Sequence, residues 1–407
     1  MTVIKQHRLA RTAFSLIAAF TLATSAIDAK ADSGFKSWIA KFYETAAKSG
    51  ISRTTYERAF AGISEPDQDV LRKANTQPEF TTEIWDYLDS RVNPYTVKIG
   101  REMASRHGRT LAAVEKHFGV DRNILLAIWS MESNYGTVLE KPDRLHSVPQ
   151  ALATLAWADE KRAKFARTQL IAALKILQAG DVTPKQLTGS WAGAMGHTQF
   201  IPTSYLLYAV DADGDGKRDI WHSIPDALAT SANLLSKNGW ENGKTWGYEA
   251  ALPAGAARYS GQTKTLAQWA ALGFTRPNGK PFPRGNDRAQ LKLPAGGQGP
   301  AFLMMNNFFV IKKYNASDKY AIAVGLLADE IAGYGGMVQT WPRPQNVLDV
   351  KEKFELQHRM KQLGYYQGEV DGNFGSGSKA AISALQTRLG MQADGEPSKS
   401  LLKALRN

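Results

Sequence analysis

The 407-residue chain contains no cysteine. Disulfides, thiol nucleophiles and cysteine-ligated zinc are excluded together, and no thiol is available for lipid attachment. The chain also lacks low-complexity segments and internal repeats. Long apolar runs are absent but for one short stretch, "AFSLIAAFTLATSA", which follows the bases Lys5, Arg8 and Arg11 and precedes "AKA" at Ala29–Ala31. That stretch is short and threonine-rich for a membrane span. A basic flank, an apolar run and a small-x-small site in that order read as an export signal cleaved near Ala31. Export without cysteine suits a bacterial periplasm, with a mature form that is soluble and carries no membrane anchor.

What is present is ordinary for a globular protein: 43% hydrophobic and 22% charged residues. The length allows two or three domains. The formal charge is +12, and falls to about +9 once the four bases and one acid of residues 1–31 are removed. An exported basic protein is suited to an anionic polymer or surface. Nucleic acid is not expected as a partner, because export separates the two.

Apolar residues recur at three and four in "FKSWIAKFYETAAKSGI" and "RTQLIAALKILQAG", so both are predicted helices. The second should end at Gly180, ahead of Pro184. Between Gly239 and Val310 glycine and proline become dense, and "AQLKL" and "FFVIKKY" are predicted strands. "KYAIAVGLLADEIAGYGG" returns to helix. The two prolines of "WPRPQN" mark a linker. The residues beyond it read as helix, Gly-rich loop, helix, turn, helix.

The run "ILLAIWSMESNYG" holds one acid, Glu132. With Asp121 as N-cap, the apolar stripe is Ile124, Leu125, Ile128 and Trp129. Glu132, four residues after Ile128, continues that stripe. Gly136 is expected to end the helix. A carboxyl so placed is partly desolvated, its pKa rises, and it becomes suited to general acid catalysis. The alternative is a helix-end glutamate that reaches water. Hydrolytic glycosidases pair two carboxylates, yet no second acid stands in the signature stretches around Glu132 or Gln199.

"DADGDGKRDIWH" places Asp211, Asp213 and Asp215 at positions 1, 3 and 5 of an EF-hand-like loop, with Gly216 at 6. Lys217 would offer its carbonyl at position 7 and Asp219 would act at 9 through water. His222 stands at 12 instead of the usual glutamate. A structural Ca²⁺ is expected; the alternative is an acidic turn that holds no ion.

"ESNYG", then "GSWAGAMGHTQFIPTSY", then "DADGDG" resemble the lytic murein transglycosylases of the B type, over residues 35–340. The resemblance implies a mainly α protein, with a lysozyme-like α+β catalytic domain and a small β-containing insertion. Glu132 matches the family's single catalytic acid and base. Ser190 and Gln199 match glycan-contacting residues, as do Tyr314, Asn315 and Tyr320 of "YNASDKY". Lys161 and Arg162 fall where the family has a basic pair near the peptide stems, and Tyr87 aligns with a cleft aromatic. Leu234 departs from the pattern, since some members carry tyrosine there. The family's modified metal loop is closed by a later acid, for which Asp226 is the candidate.

"LGYYQGEVDGNFGSGSKAAISALQ" resembles the peptidoglycan-binding domain type 1, a three-helix module. The implied layout is a signal peptide at 1–31, a catalytic domain at 32–341, a linker at 342–347 and the binding module at 348–407. The implied activity is cleavage of the MurNAc-β-1,4-GlcNAc bond with formation of 1,6-anhydro-MurNAc ends. No cofactor would be required for the chemistry. Peptidoglycan glycan strands are the expected partner, and other cell-wall enzymes are candidates. A water-using muramidase and a catalytically idle peptidoglycan-binding scaffold stay open as alternatives.

Overall fold

The computed structural model describes residues 34–75 and 82–406; the expected export signal lies outside them. In chain order the helices begin with α1 (34–48), α2 (Arg53–Ala59), α3 (Gln68–Asn75), α4 (Ile84–Arg91), α5 (Pro94–Arg106), α6 (Gly108–Phe118) and α7 (Arg122–Ser133). There follow β1 (His146–Ser147), α8 (Val148–Ala158), α9 (Ala163–Ala179), β2 (Thr188–Gly189), α10 (Pro202–Tyr208) and α11 (Ile224–Lys237). The insertion holds β3 (Gly247–Ala250), β4 (Thr263–Thr265), α12 (Leu266–Ala271), β5 (Arg288–Lys292), β6 (Pro294–Gly297) and β7 (Ala301–Met304). The chain ends with α13 (Asn306–Tyr314), α14 (Asp318–Ala332), α15 (Val350–Gln362), α16 (Ser376–Arg388) and α17 (Lys399–Arg406).

These elements form two units. The first takes the chain up to Gln77 together with Pro142–Leu207. Its centre is the pair α8 and α9, with α3 against α8 and α2 against α9. Residues Val148 to Ala156 of α8, Gln150 apart, are all buried, as expected of a helix enclosed on several sides. Ser147 caps it by accepting from Gln150 N. α9 stops as expected, with Gly180 left-handed at φ 85.

The second unit takes Pro78–Lys141 and Tyr208–Asn407. Helix α14 is central, packed on α4, α5, α7 and α13. The insertion is an antiparallel sheet in the order β3-β7-β5-β4. Its core holds Leu266, Trp269, Phe274, Leu291 and Leu303. The strand expected at "AQLKL" is β5. The strand expected at "FFVIKKY" is instead helix α13. Its aromatic and β-branched residues suggested a strand, but Asn307, Phe308, Val310 and Ile311 are buried together, which is helical spacing.

The last sixty residues give the expected three helices. They close on Leu356, Met360, Ile382, Leu385, Leu401 and Leu402, and α15 opens with a capping box between Asp349 and Glu352. The connecting segment is less free than its prolines suggest, because Arg343 is fastened to Asp89 of α4. No helix among the described residues is long and apolar enough to cross a membrane.

Candidate active site

Helix α7 begins as its sequence requires: the Asp121 side chain accepts from Asn123 N at 2.7 Å. It ends earlier than Gly136. Asn134 (φ 48), Tyr135 (φ 57) and Gly136 (φ 89) are left-handed in succession, and the Asn134 N–H returns to Ser130 O. Asparagine tolerates this region; tyrosine rarely enters it. Strained backbone two and three residues after Glu132 is the kind that gathers at functional sites.

Ile124, Leu125, Ile128 and Trp129 are buried, and Glu132 sits at the partly exposed end of their stripe. Tyr320 Oη donates to Glu132 Oε1 at 2.6 Å. Burial pushes the Glu132 carboxyl up to about 7, against the Tyr320 hydrogen bond and the charge of Arg91, which both pull it down. Among the described residues no carboxylate is among the groups that shift it.

The Tyr320 hydroxyl is enclosed and held well above its usual range, first by burial and then by the Glu132 charge. The Tyr314 ring lies nearly parallel to Tyr320, with centroids 6.5 Å apart. Its hydroxyl is 3.4 Å from Ser231 Oγ. Tyr87, on α4, is half-buried; burial raises its pKa, Arg91 lowers it, and the Glu132 charge raises it further. Asn315 is exposed, and its Oδ1 accepts from Ser317 N at 3.1 Å, so it shapes the turn into α14.

Arg91, at the end of α4, was not anticipated. Its guanidinium lies 5.9 Å from the Tyr87 ring centre. The sequence carries a signal for it, because residues four apart share a helix face.

Ser190, Gln199, Lys161 and Arg162 belong to the first unit. Ser190 Oγ accepts from Ala192 N at 3.3 Å and Ala194 N at 3.1 Å, fastening its own Gly-rich loop. A Cβ on Gly189 would lie 2.3 Å from Ala194 O, which is why that loop needs glycine there. Gln199 is left-handed at φ 50, with Nε2 donating to Gly196 O at 2.8 Å. The basic pair is divided: Lys161 is exposed, whereas Arg162 is ion-paired with Asp159 and lies 5.8 Å from the Trp191 ring centre.

In the acidic loop, carboxylate oxygens of Asp211, Asp213 and Asp226 lie within 4.8 Å of one another. Asp226 is buried on the first turn of α11 and accepts from Ala212 N, Asp213 N and Asp219 N. Burial raises its pKa, and the neighbouring charge of Asp213 adds to that. An all-oxygen donor set of like charges suits Ca²⁺, which would relieve the repulsion. Asp215 is outside this group; its Oδ1 accepts from Lys217 N at 2.8 Å, and Lys217 is exposed on the same turn. Asp219 Oδ1 accepts from the N–H groups of Trp221 and His222, and the His222 ring turns to Asp219, away from a ligand role.

Residues 34–329 match the family described as "Transglycosylase SLT domain", and residues 352–405 match "Putative peptidoglycan binding domain". Membrane-bound lytic murein transglycosylase B of Escherichia coli (strain K12) is 31% identical over 247 residues, 60% of this chain and 66% of that protein; the chain thus spans just under two thirds of that relative. The crystal structure of SltB3 from Pseudomonas aeruginosa in complex with NAG-anhNAM-pentapeptide is 45% identical. It covers 92% of this chain and 100% of that one, with a TM-score of 0.73. The Escherichia coli lytic transglycosylase Slt35 in complex with calcium is 28% identical over 74% of this chain and 93% of that one, with a TM-score of 0.60. The chain therefore belongs to the transglycosylase SLT domain family, the lysozyme-like lytic murein transglycosylases that cleave peptidoglycan in cell-wall turnover, and it ends in a peptidoglycan-binding domain.

Proposed function

We propose that this lytic murein transglycosylase cleaves the MurNAc-β-1,4-GlcNAc bond with Glu132 as its only acid and base, leaving 1,6-anhydro-MurNAc ends. One observation carries the reading: a shielded carboxyl with its pKa near 7, held at Oε1 by Tyr320, and with no carboxylate of the described residues among the groups that shift it. A carboxyl with that pKa is largely protonated at mildly acid pH and still about half protonated at neutral pH. Oε1 is fixed by the tyrosine, so Oε2 is left for proton transfer.

Glu132 gives its proton to the glycosidic oxygen as the bond to the muramic anomeric carbon breaks. The substrate's own N-acetyl carbonyl stabilises the cationic carbon. The Glu132 carboxylate then takes the proton of the muramic 6-hydroxyl, whose oxygen closes on the anomeric carbon. No water is consumed, and Glu132 ends protonated as it began. Tyr320 and Tyr314 position the acid and border the sugar, with Tyr87 and Asn315 beside them. Ser190 and Gln199 bind glycan, and Lys161 and Arg162 meet the peptide stem.

The relative crystallised with a NAG-anhNAM-pentapeptide supports the product class. The relative crystallised with calcium supports a structural Ca²⁺ at Asp211, Asp213 and Asp226, with Asp215 and the Lys217 carbonyl as the further ligands the loop spacing offers. Residues 1–31 are read as an export signal, with the mature enzyme in the periplasm.

Glu132→Gln tests the central assignment. Glutamine is nearly the same shape but carries no transferable proton. Turnover of purified sacculi should fall at least about a thousandfold with an unchanged fold by circular dichroism. Activity within tenfold of the parent would remove Glu132 from the acid role.

A further inference from the structure

Helix α4 is engaged on two sides. On one, buried Asp89 uses both carboxylate oxygens: Arg343 Nη2 donates to Oδ1 at 2.6 Å and Nη1 to Oδ2 at 2.8 Å. Lys353 Nζ donates to Oδ2 at 2.7 Å and also reaches Asp86 at 3.5 Å. The side chains of Asp89, Arg343 and Lys353 are only 6%, 11% and 15% exposed. Arg343 belongs to the connecting segment, and Lys353 to α15, the first helix of the C-terminal module.

On the other side, α4 buries Ile84 and Leu88 and packs on α14. Lys319 of α14 donates to Thr82 O, just ahead of α4. The next residue, Tyr320, holds Glu132, and α4 itself carries Tyr87.

A module that served only as a tether would need no such joint. Exposed ion pairs hold little and are readily exchanged for water. A buried carboxylate with a bidentate arginine is different: its geometry is fixed, and losing either partner leaves a charge stranded. Two cations drawn from beyond residue 341 are committed to one acid on the helix that carries Tyr87.

We propose that Asp89 is a positioning residue: the C-terminal module, docked through Arg343 and Lys353, holds α4 and Tyr87 in place against Tyr320 and Glu132. The module is then a working part of the catalytic centre as well as a wall-binding tether. This rests on the reading of Glu132 as the acid.

The test uses the full chain and a short soluble glycan that the module cannot tether. Asp89→Asn, Arg343→Gln and Lys353→Gln are compared with the parent for kcat, KM, sacculus binding and melting temperature, with kcat measured far below melting. The expected result is a kcat about tenfold or more lower for Asp89→Asn and Arg343→Gln, with sacculus binding retained, since small misplacements at a reacting centre are amplified in rate. Asp89→Asn combined with Arg343→Gln should be no worse than the worse single variant, and Arg343→Lys should recover part of the loss. A merely structural joint would lower the melting temperature and leave kcat alone. An unchanged kcat on soluble glycan, or a loss confined to sacculi, would overturn the proposal. Glu132→Gln, assayed in parallel, keeps the two readings apart: if it remains active, the acid assignment fails whatever the Asp89 variants do.

Discussion

Glu132 couples two requirements that oppose each other. Burial favours its neutral form, and the Tyr320 hydrogen bond favours its charged form; burial wins and leaves the group near 7. Activity that depends on protonated Glu132 should therefore fall as pH rises through that value. Tyr320→Phe removes a bond that stabilises the carboxylate, so the alkaline limb of the kcat profile should move to higher pH while the rate drops about tenfold through lost positioning. A limb that stays in place would mean that another group sets it. The same shift has a stability consequence. Glu132 titrates near its ordinary 4.5 when unfolded and near 7 when folded. Below 4.5 both states hold the proton; above 7 the folded state bears the full burden of a shielded charge, so stability falls between those limits as pH rises. Glu132→Gln should be more stable than the parent at pH 8 by about 1–3 kcal/mol and equal to it at pH 4. Asp329, bonded to Trp246 Nε1, is also raised to about 7 by burial and shares this window, so denaturant melts of Asp329→Asn belong beside those of Glu132→Gln.

Local chemistry made some elements legible and left others obscure. Asp121 and Gly180 announce their helix ends because capping acts within a few residues. Periodicity put Glu132 on the buried stripe, but nothing local says that Tyr320, almost two hundred residues later, supplies its hydrogen bond; the family resemblance placed Tyr320 in the cleft, and only the fold pairs it with Glu132. The α13 segment misled, because its strand-like composition is overridden by what it packs against. The Asp89 joint was hidden for a similar reason: one of two acids on a short helix and a lone arginine between prolines mean nothing until the fold pairs them. In the acidic loop the spacing marked Asp211, Asp213 and Asp215, and the family resemblance pointed to Asp226; the fold brings Asp226, at the start of α11, to Asp211 and Asp213 and leaves Asp215 outside the group. Calcium bound there adds its binding free energy to folding. About 1 mM Ca²⁺ should raise the melting temperature by several degrees if its dissociation constant is micromolar, and Asp213→Ala should abolish that response. A melting temperature indifferent to both Ca²⁺ and chelator would mean that the loop holds no ion.

In the whole molecule as proposed, a single-acid centre works with a module that binds the wall and steadies a helix beside that centre. The net positive charge suits an anionic polymer, and binding to sacculi should weaken as salt rises. The central claim is that the substrate's own 6-hydroxyl, and not water, completes the cleavage. Mass spectrometry of the muropeptides released from purified sacculi tests it most directly. The released products should be lighter by one water than those of a hydrolytic muramidase, with 1,6-anhydro-MurNAc termini that resist borohydride reduction. Predominantly reducing MurNAc termini would contradict it.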